Sequence, residues 1–192
     1  MTAEALGDVA AAAGRIIVAL EAGRHREARE QAQELNAAVH RASQTSGRDA
    51  VVAALRVRTS AMAGLAARRA PALALAETAN RVRDLVAEQA ELHADPAIAA
   101  VLRLDYLERE VELRSLAGQH AAAGAAARAV ADVWTGARAT VAVEPLAARF
   151  DDHVAHLQQL RGPSLIEEEA RRGLELVALL SSSTHTAGAR SR

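Results

Sequence analysis

The sequence predicts an all-α protein whose eight helices form two duplicated four-helix units, either helical bundles or a short solenoid of α-hairpins. Three observations predict this. All four prolines, Pro71, Pro96, Pro145 and Pro163, fall where an apolar-periodic segment begins, the one place a helix tolerates proline well. Apolar residues in the long segments recur at three- and four-residue spacing, and alanine dominates between them. Much of the apolar half is alanine and Tyr106, Trp134 and Phe150 are the only aromatic residues, so the chain favours helices that pack closely, with leucine and valine carrying most of the burial.

The elements follow in order. Residues 3–22 make a first helix carrying Leu6, Val9, Ile16, Ile17 and Leu20, and Gly23 ends it. His25 to about Gln44 makes a polar second helix with a narrow stripe of Ala28, Ala32, Leu35, Val39 and Ala42. Ser46-Gly47 breaks the pattern, and Val52, Leu55, Met62 and Leu65 mark a third helix over 49–69. Pro71 opens a fourth, with Leu73, Leu75, Val82, Leu85, Val86 and Leu92. Asp95-Pro96 is an N-cap followed by proline, so the fifth helix runs from there to Gly118. Its apolar residues cover most of the circumference, which predicts a central helix wrapped by neighbours. A sixth helix over 119–141 carries Val130, Val133 and Trp134, and a seventh after Pro145 carries Phe150, Val154 and Leu157. Ser164 with Glu167 forms a capping box for the eighth, to about Leu180. The Ser/Thr-rich tail after it is expected to be disordered.

The halves align on more than alanine. Gly23, His25, Leu35 and Val39 match Gly118, His120, Val130 and Trp134 at an offset of 95. Arg69, Pro71, Val82 and Leu85 match Arg161, Pro163, Leu174 and Val177 at an offset of 92. The expected units are therefore 1–94 and 95–181, with 182–192 as the tail.

The turns LEAGRHREAREQAQEL and RSLAGQHAAAGAAARAV resemble tetratricopeptide hairpins, without a 34-residue period. The series LDYLEREVEL, AGQHAAA, VWTGAR, ARFDDHVAHL and GLELV is similar to small duplicated helical domains of actinobacterial exported proteins. Some of these accompany iron permeases or imelysin-like proteins, so the resemblance implies an extracytoplasmic, metal-uptake setting.

Composition narrows the functional classes. Net charge is −1, from 23 basic and 24 acidic residues with the signs interspersed, so no nucleic-acid partner is expected. The lack of cysteine removes disulfides and thiolate chemistry. No unbroken apolar run of membrane-spanning length occurs, so no span is expected. Val9 to Leu20 looks like a signal-peptide core, but Arg15 interrupts it and Glu4 and Asp8 precede it. As written the chain reads as cytoplasmic; a piece trimmed of its signal peptide would be extracytoplasmic.

No P-loop, G-x-S-x-G, HExxH or dinucleotide fingerprint occurs, so no enzyme and no cofactor are expected. The leading expectation is a non-enzymatic binding or assembly module whose partner is a protein or a second copy of the chain. The alternative is a bundle binding a small ligand or a divalent metal such as iron or zinc. Asp105, Glu108 and Glu112 share one face of the fifth helix, and His153 and His156 one side of the seventh. Carboxylates and imidazoles from facing helices are what bundle metal sites use, and Asp152 adds an oxygen ligand. Against this, the carboxylates suit ordinary helix pairing, as in Asp105–Arg109 and Glu110–Arg114, and His156 suits a surface pair with Asp152. His153 lies at the expected core margin. His25 and His120, after equivalent glycines, are expected to shape their turns, and the three aromatics to fill a core.

Overall fold

The computed structural model describes residues 3–45, 50–141, 144–160 and 162–190. Among the described residues there are eight helices and no strand: α1 (Ala3–Glu21), α2 (His25–Thr45), α3 (Ala50–Ala67), α4 (Ala72–His93), α5 (Pro96–Leu116), α6 (His120–Val141), α7 (Glu144–Gln159) and α8 (Pro163–Arg190). The break expected at Ser46-Gly47 lies outside the described residues, as do the side chains of Ala42 and Ser164 and with them the expected capping box.

Cap chemistry sets the helix ends. The Asp95 carboxylate accepts the Ala97 N–H at 2.8 Å, with Pro96 as the first residue of α5. α1 and α5 end in the same turn. Gly23 and Gly118 take φ of 70° and 69°; the residue after each bonds back to Ala19 and Arg114, both at 2.8 Å. α3 ends in the same hydrogen-bond pattern, but Arg69 holds the left-handed position at φ 54°. His25 and His120 are exposed first residues of α2 and α6, so backbone rather than imidazole forms these turns.

The chain divides into two compact units, Met1–Gln89 and Ala90–Arg192, with the division inside α4. In the first, α2 packs against both α1 and α3. Ile16, Ile17, Leu55, Met62 and Val39 are buried there, while Thr59 and Ser60 on α3 donate to the Asn36 side-chain Oδ1 on α2 at 3.2 and 3.1 Å. α3 is long and apolar enough to cross a membrane by length and composition. It carries Arg56 and Arg58 mid-helix, each worth about 2.5–3.5 kcal/mol against insertion at a bilayer centre.

In the second unit α5 is the hub, packing against α6 and α8, while α7 leans on α8 and α6. Leu104, Val111, Val130, Phe150, Leu176 and Leu180 fill its core. The wrapping of α5 is incomplete, because Ile98 and Leu116 near its ends stay exposed. Leu92, an expected core position of α4, is also exposed. α8 continues ten residues beyond Leu180, through the stretch expected to be disordered. No proline stops it there, and the Ser182 and Ser183 hydroxyls donate to the carbonyls of Ala178 and Leu180 at 3.0 and 2.8 Å.

A buried carboxylate–histidine cluster as the candidate functional site

Three helices of the second unit bring ionisable side chains into its core. α5 supplies Glu108 and Glu112, α7 supplies His153, and α8 supplies Glu169; all four are buried, and Glu108, Glu112 and His153 show no exposed surface. His153 is the centre. Its Nε2 lies 2.6 Å from Glu108 Oε1 and its Nδ1 lies 2.8 Å from Glu169 Oε1. The second Glu169 oxygen takes His156 Nδ1 at 2.8 Å, and Arg172 stands 3.5 Å from the same carboxylate.

Sequence places these groups together by simple periodicity. His153 is three residues after Phe150 on the buried face of α7, and the two rings meet edge to face at 5.2 Å. Trp134 packs tilted against Phe150, with ring centres 4.5 Å apart, and its indole N–H donates to Asp151 at 2.7 Å. Arg138 clasps the same carboxylate at 2.9 and 3.0 Å, which holds Asp151 below the usual carboxylate range. Phe150 and Trp134 thus fill core beside the cluster, as expected, whereas Tyr106 is only half-buried.

Gly173 on α8 makes the approach of Glu108 and His153 sterically feasible. A Cβ at this position would lie 2.5 Å from Glu108 Oε2 and 2.6 Å from His153 Nε2, inside the contact distance of any real pair. The Glu108 carboxyl therefore occupies the space a side chain at 173 would take.

Proton accounting follows from the two contacts. A neutral imidazole has one N–H and one lone pair, yet both nitrogens face carboxyl groups. Either the ring is an imidazolium donating twice, or Glu108 is protonated and donates to Nε2. Both arrangements hold the same number of protons and carry the same net charge. Burial pushes the Glu108 carboxyl up, against the His153 bond. Burial opposes the charged ring as well, but the bonds to Glu108 and Glu169 outweigh it and raise His153. Burial would also raise Glu169, and its bonds to His153 and His156 overcome that and hold it low. Among the described residues Glu108 Oε2 has no hydrogen-bond partner, which adds to the cost of ionising it.

The residues expected to form a metal site are only partly brought together. Glu108 and His153 meet, but Glu112 turns to Arg109 on its own helix and to Arg171 on α8, at 3.0 Å from the latter. Asp105 is half-buried one turn before Glu108, and the exposed His156 reaches Glu169 rather than the expected Asp152. Among the described residues no three His, Asp or Glu side chains converge as a metal-binding group. The helix-pairing expectation holds for Glu110 and Arg114, 2.6 Å apart, and fails for Glu108, which leaves its own helix for α7.

Two members were not singled out from sequence, Glu169 and Gly173. They lie four residues apart on α8, so one face presents an acid and, a turn later, a gap. Comparison with known protein families, with characterised proteins and with solved structures returned no match for this chain.

Proposed function

We propose that this chain is a non-enzymatic helical module that works through protein–protein contacts made by its helix faces. The observation that carries the reading is the groove between α1 and α2 in the first unit. It encloses about 610 Å3, with Val9, Leu35 and Val39 on its floor and Asp8, Arg15, Glu34 and Arg41 exposed at its rim. An apolar floor inside a charged rim suits an amphipathic helix laid lengthwise.

The glutamate–histidine cluster has the opposite character. An acid–base pair acts only on a substrate within hydrogen-bond reach, and Glu108 and His153 are fully covered, with Gly173 packed over them. Its groups are spent on one another, which supports a role in fixing α5, α7 and α8 in register. The matching turns at Gly23 and Gly118 favour the further reading that the units arose by duplication and then diverged in their packing.

Hydrogen exchange tests the proposal. Amide exchange in α1 and α2 would be followed in the dilute chain, in the concentrated chain, and with a panel of amphipathic helical peptides. Slowed exchange around Ala12 and Ala38 in at least one of the last two conditions is expected. Unchanged exchange in every condition would remove the groove as a contact face.

A further inference from the structure

We infer that the α1–α2 groove takes the same face of a second copy of this chain, forming a two-fold symmetric four-helix contact. The inference rests on the reading of the chain as a contact module and names the partner.

α1 and α2 are joined by three residues and packed together, so they run antiparallel. Each α1 residue at the rim has a counterpart of the same kind 26 residues later on α2: Asp8 with Glu34, and Arg15 with Arg41. The floor repeats the relation, Val9 with Leu35 and Ala12 with Ala38. Because the helices are antiparallel, this correspondence is a local two-fold axis running through the groove centre and normal to it.

Charges then alternate around the rim. Asp8 and Arg41 share the end near the chain start, while Arg15 and Glu34 share the end near the Gly23 turn. Such a pattern is its own complement. When a second copy is laid face to face about a two-fold axis along the helices, Asp8 meets Arg41 of the copy and Arg15 meets Glu34. With the axis across the helices, Asp8 meets Arg15 of the copy and Glu34 meets Arg41. Like charges are never nearest neighbours in either arrangement, the condition an isologous interface must satisfy. Ala12 and Ala38 at the middle let the backbones approach closely. The face is smaller than the about 20–30 residues a side of a standard interface, which puts it among the small, transient contacts.

Two double variants of the intact chain test this by sedimentation velocity over a wide concentration range. Asp8→Arg with Glu34→Arg makes the rim wholly basic, and Arg15→Glu with Arg41→Glu makes it wholly acidic. All four positions are exposed, and helical circular dichroism checks that each variant folds. The wild-type chain should dimerise with rising concentration, and each double variant should lose at least about tenfold in association. An equimolar mixture of the two should recover a dimer, weakened by salt as the Debye length shrinks from about 10 Å at 0.1 M to about 3 Å at 1 M. A dimer that persists in the wholly basic variant would place self-association on another face, overturning this inference and leaving the contact-module reading intact. A wild-type chain that stays monomeric while its groove binds a probe peptide would do the same. A monomer whose groove binds nothing would overturn both.

Discussion

Gly173→Ala is the sharpest probe of the cluster. Inside a helix the substitution is ordinarily favourable, by about 1 kcal/mol of propensity. Here the new methyl group would stand 2.5 Å from Glu108 Oε2 and 2.6 Å from His153 Nε2. Neither side chain has a free direction to retreat, since both are fully buried and His153 is also held by Glu169. Glu108 must therefore leave His153, stranding a buried carboxyl and a buried ring nitrogen without their partner, at about 3–5 kcal/mol in all. The net loss expected is about 2–4 kcal/mol, which for a domain near 100 residues lowers Tm by about 10–25 °C. Trp134, the only tryptophan of the chain, lies in the same unit and reports its unfolding by fluorescence. Gly136→Ala in α6 is the control, because nothing stands within 4 Å of its would-be Cβ, and it should gain up to about 1 kcal/mol. If Gly173→Ala stabilises the unit as Gly136→Ala does, the close approach of Glu108, His153 and Gly173 is refuted.

Three further outcomes follow, one from the cluster and two from the turns. His153 is raised above its ordinary value near 6.5, so its stabilising share is complete below that pH and is lost as pH climbs through the raised value; the raised Glu108 acts in the same direction. Glu169 is lowered, so its share is present above the ordinary glutamate value and is lost on acidification. Urea unfolding followed at Trp134 should therefore show stability falling on both sides of a maximum, and stability rising steadily from neutral to alkaline pH would contradict the cluster. Arg69 holds a left-handed conformation at φ 54°, so Arg69→Gly should stabilise the first unit by about 0.5–1 kcal/mol, measured by circular dichroism. Gly23→Ala, at φ 70°, should lose about 1–2 kcal/mol, and equal effects of the two would discount the turn geometry.

Much of the fold was legible because helix starts and stops are local chemistry. Asp95 and Pro96 announce α5 through two neighbouring residues, and Gly23 and Gly118 announce their turns through a φ other residues avoid. The end of α8 was misjudged for a related reason. Serine and threonine mark loops by competing for backbone hydrogen bonds, but Ser182 and Ser183 make theirs to carbonyls of the preceding turn and let the helix continue. The cluster was half legible. Spacing put Glu108 and His153 on helix faces without saying whether those faces met or were covered. Burial of Glu108 depends on a gap at residue 173 on another helix, a relation no local pattern encodes. Glycine itself was a poor signal, since Gly7, Gly14 and Gly136 also lie inside helices with nothing near their would-be Cβ.

The most direct test of the account is thermal unfolding of the intact chain at two concentrations about a hundredfold apart, with EDTA and with iron, zinc or manganese. A self-associating module gains stability with its own concentration, by up to about 2.7 kcal/mol where a partner reaches a hundred times its Kd. The account predicts a Tm that climbs with protein concentration, falls back in the wholly basic rim variant and ignores the metals. A Tm indifferent to concentration but raised by one metal, with the rise abolished by His153→Ala, would contradict it and make the buried cluster a binding site.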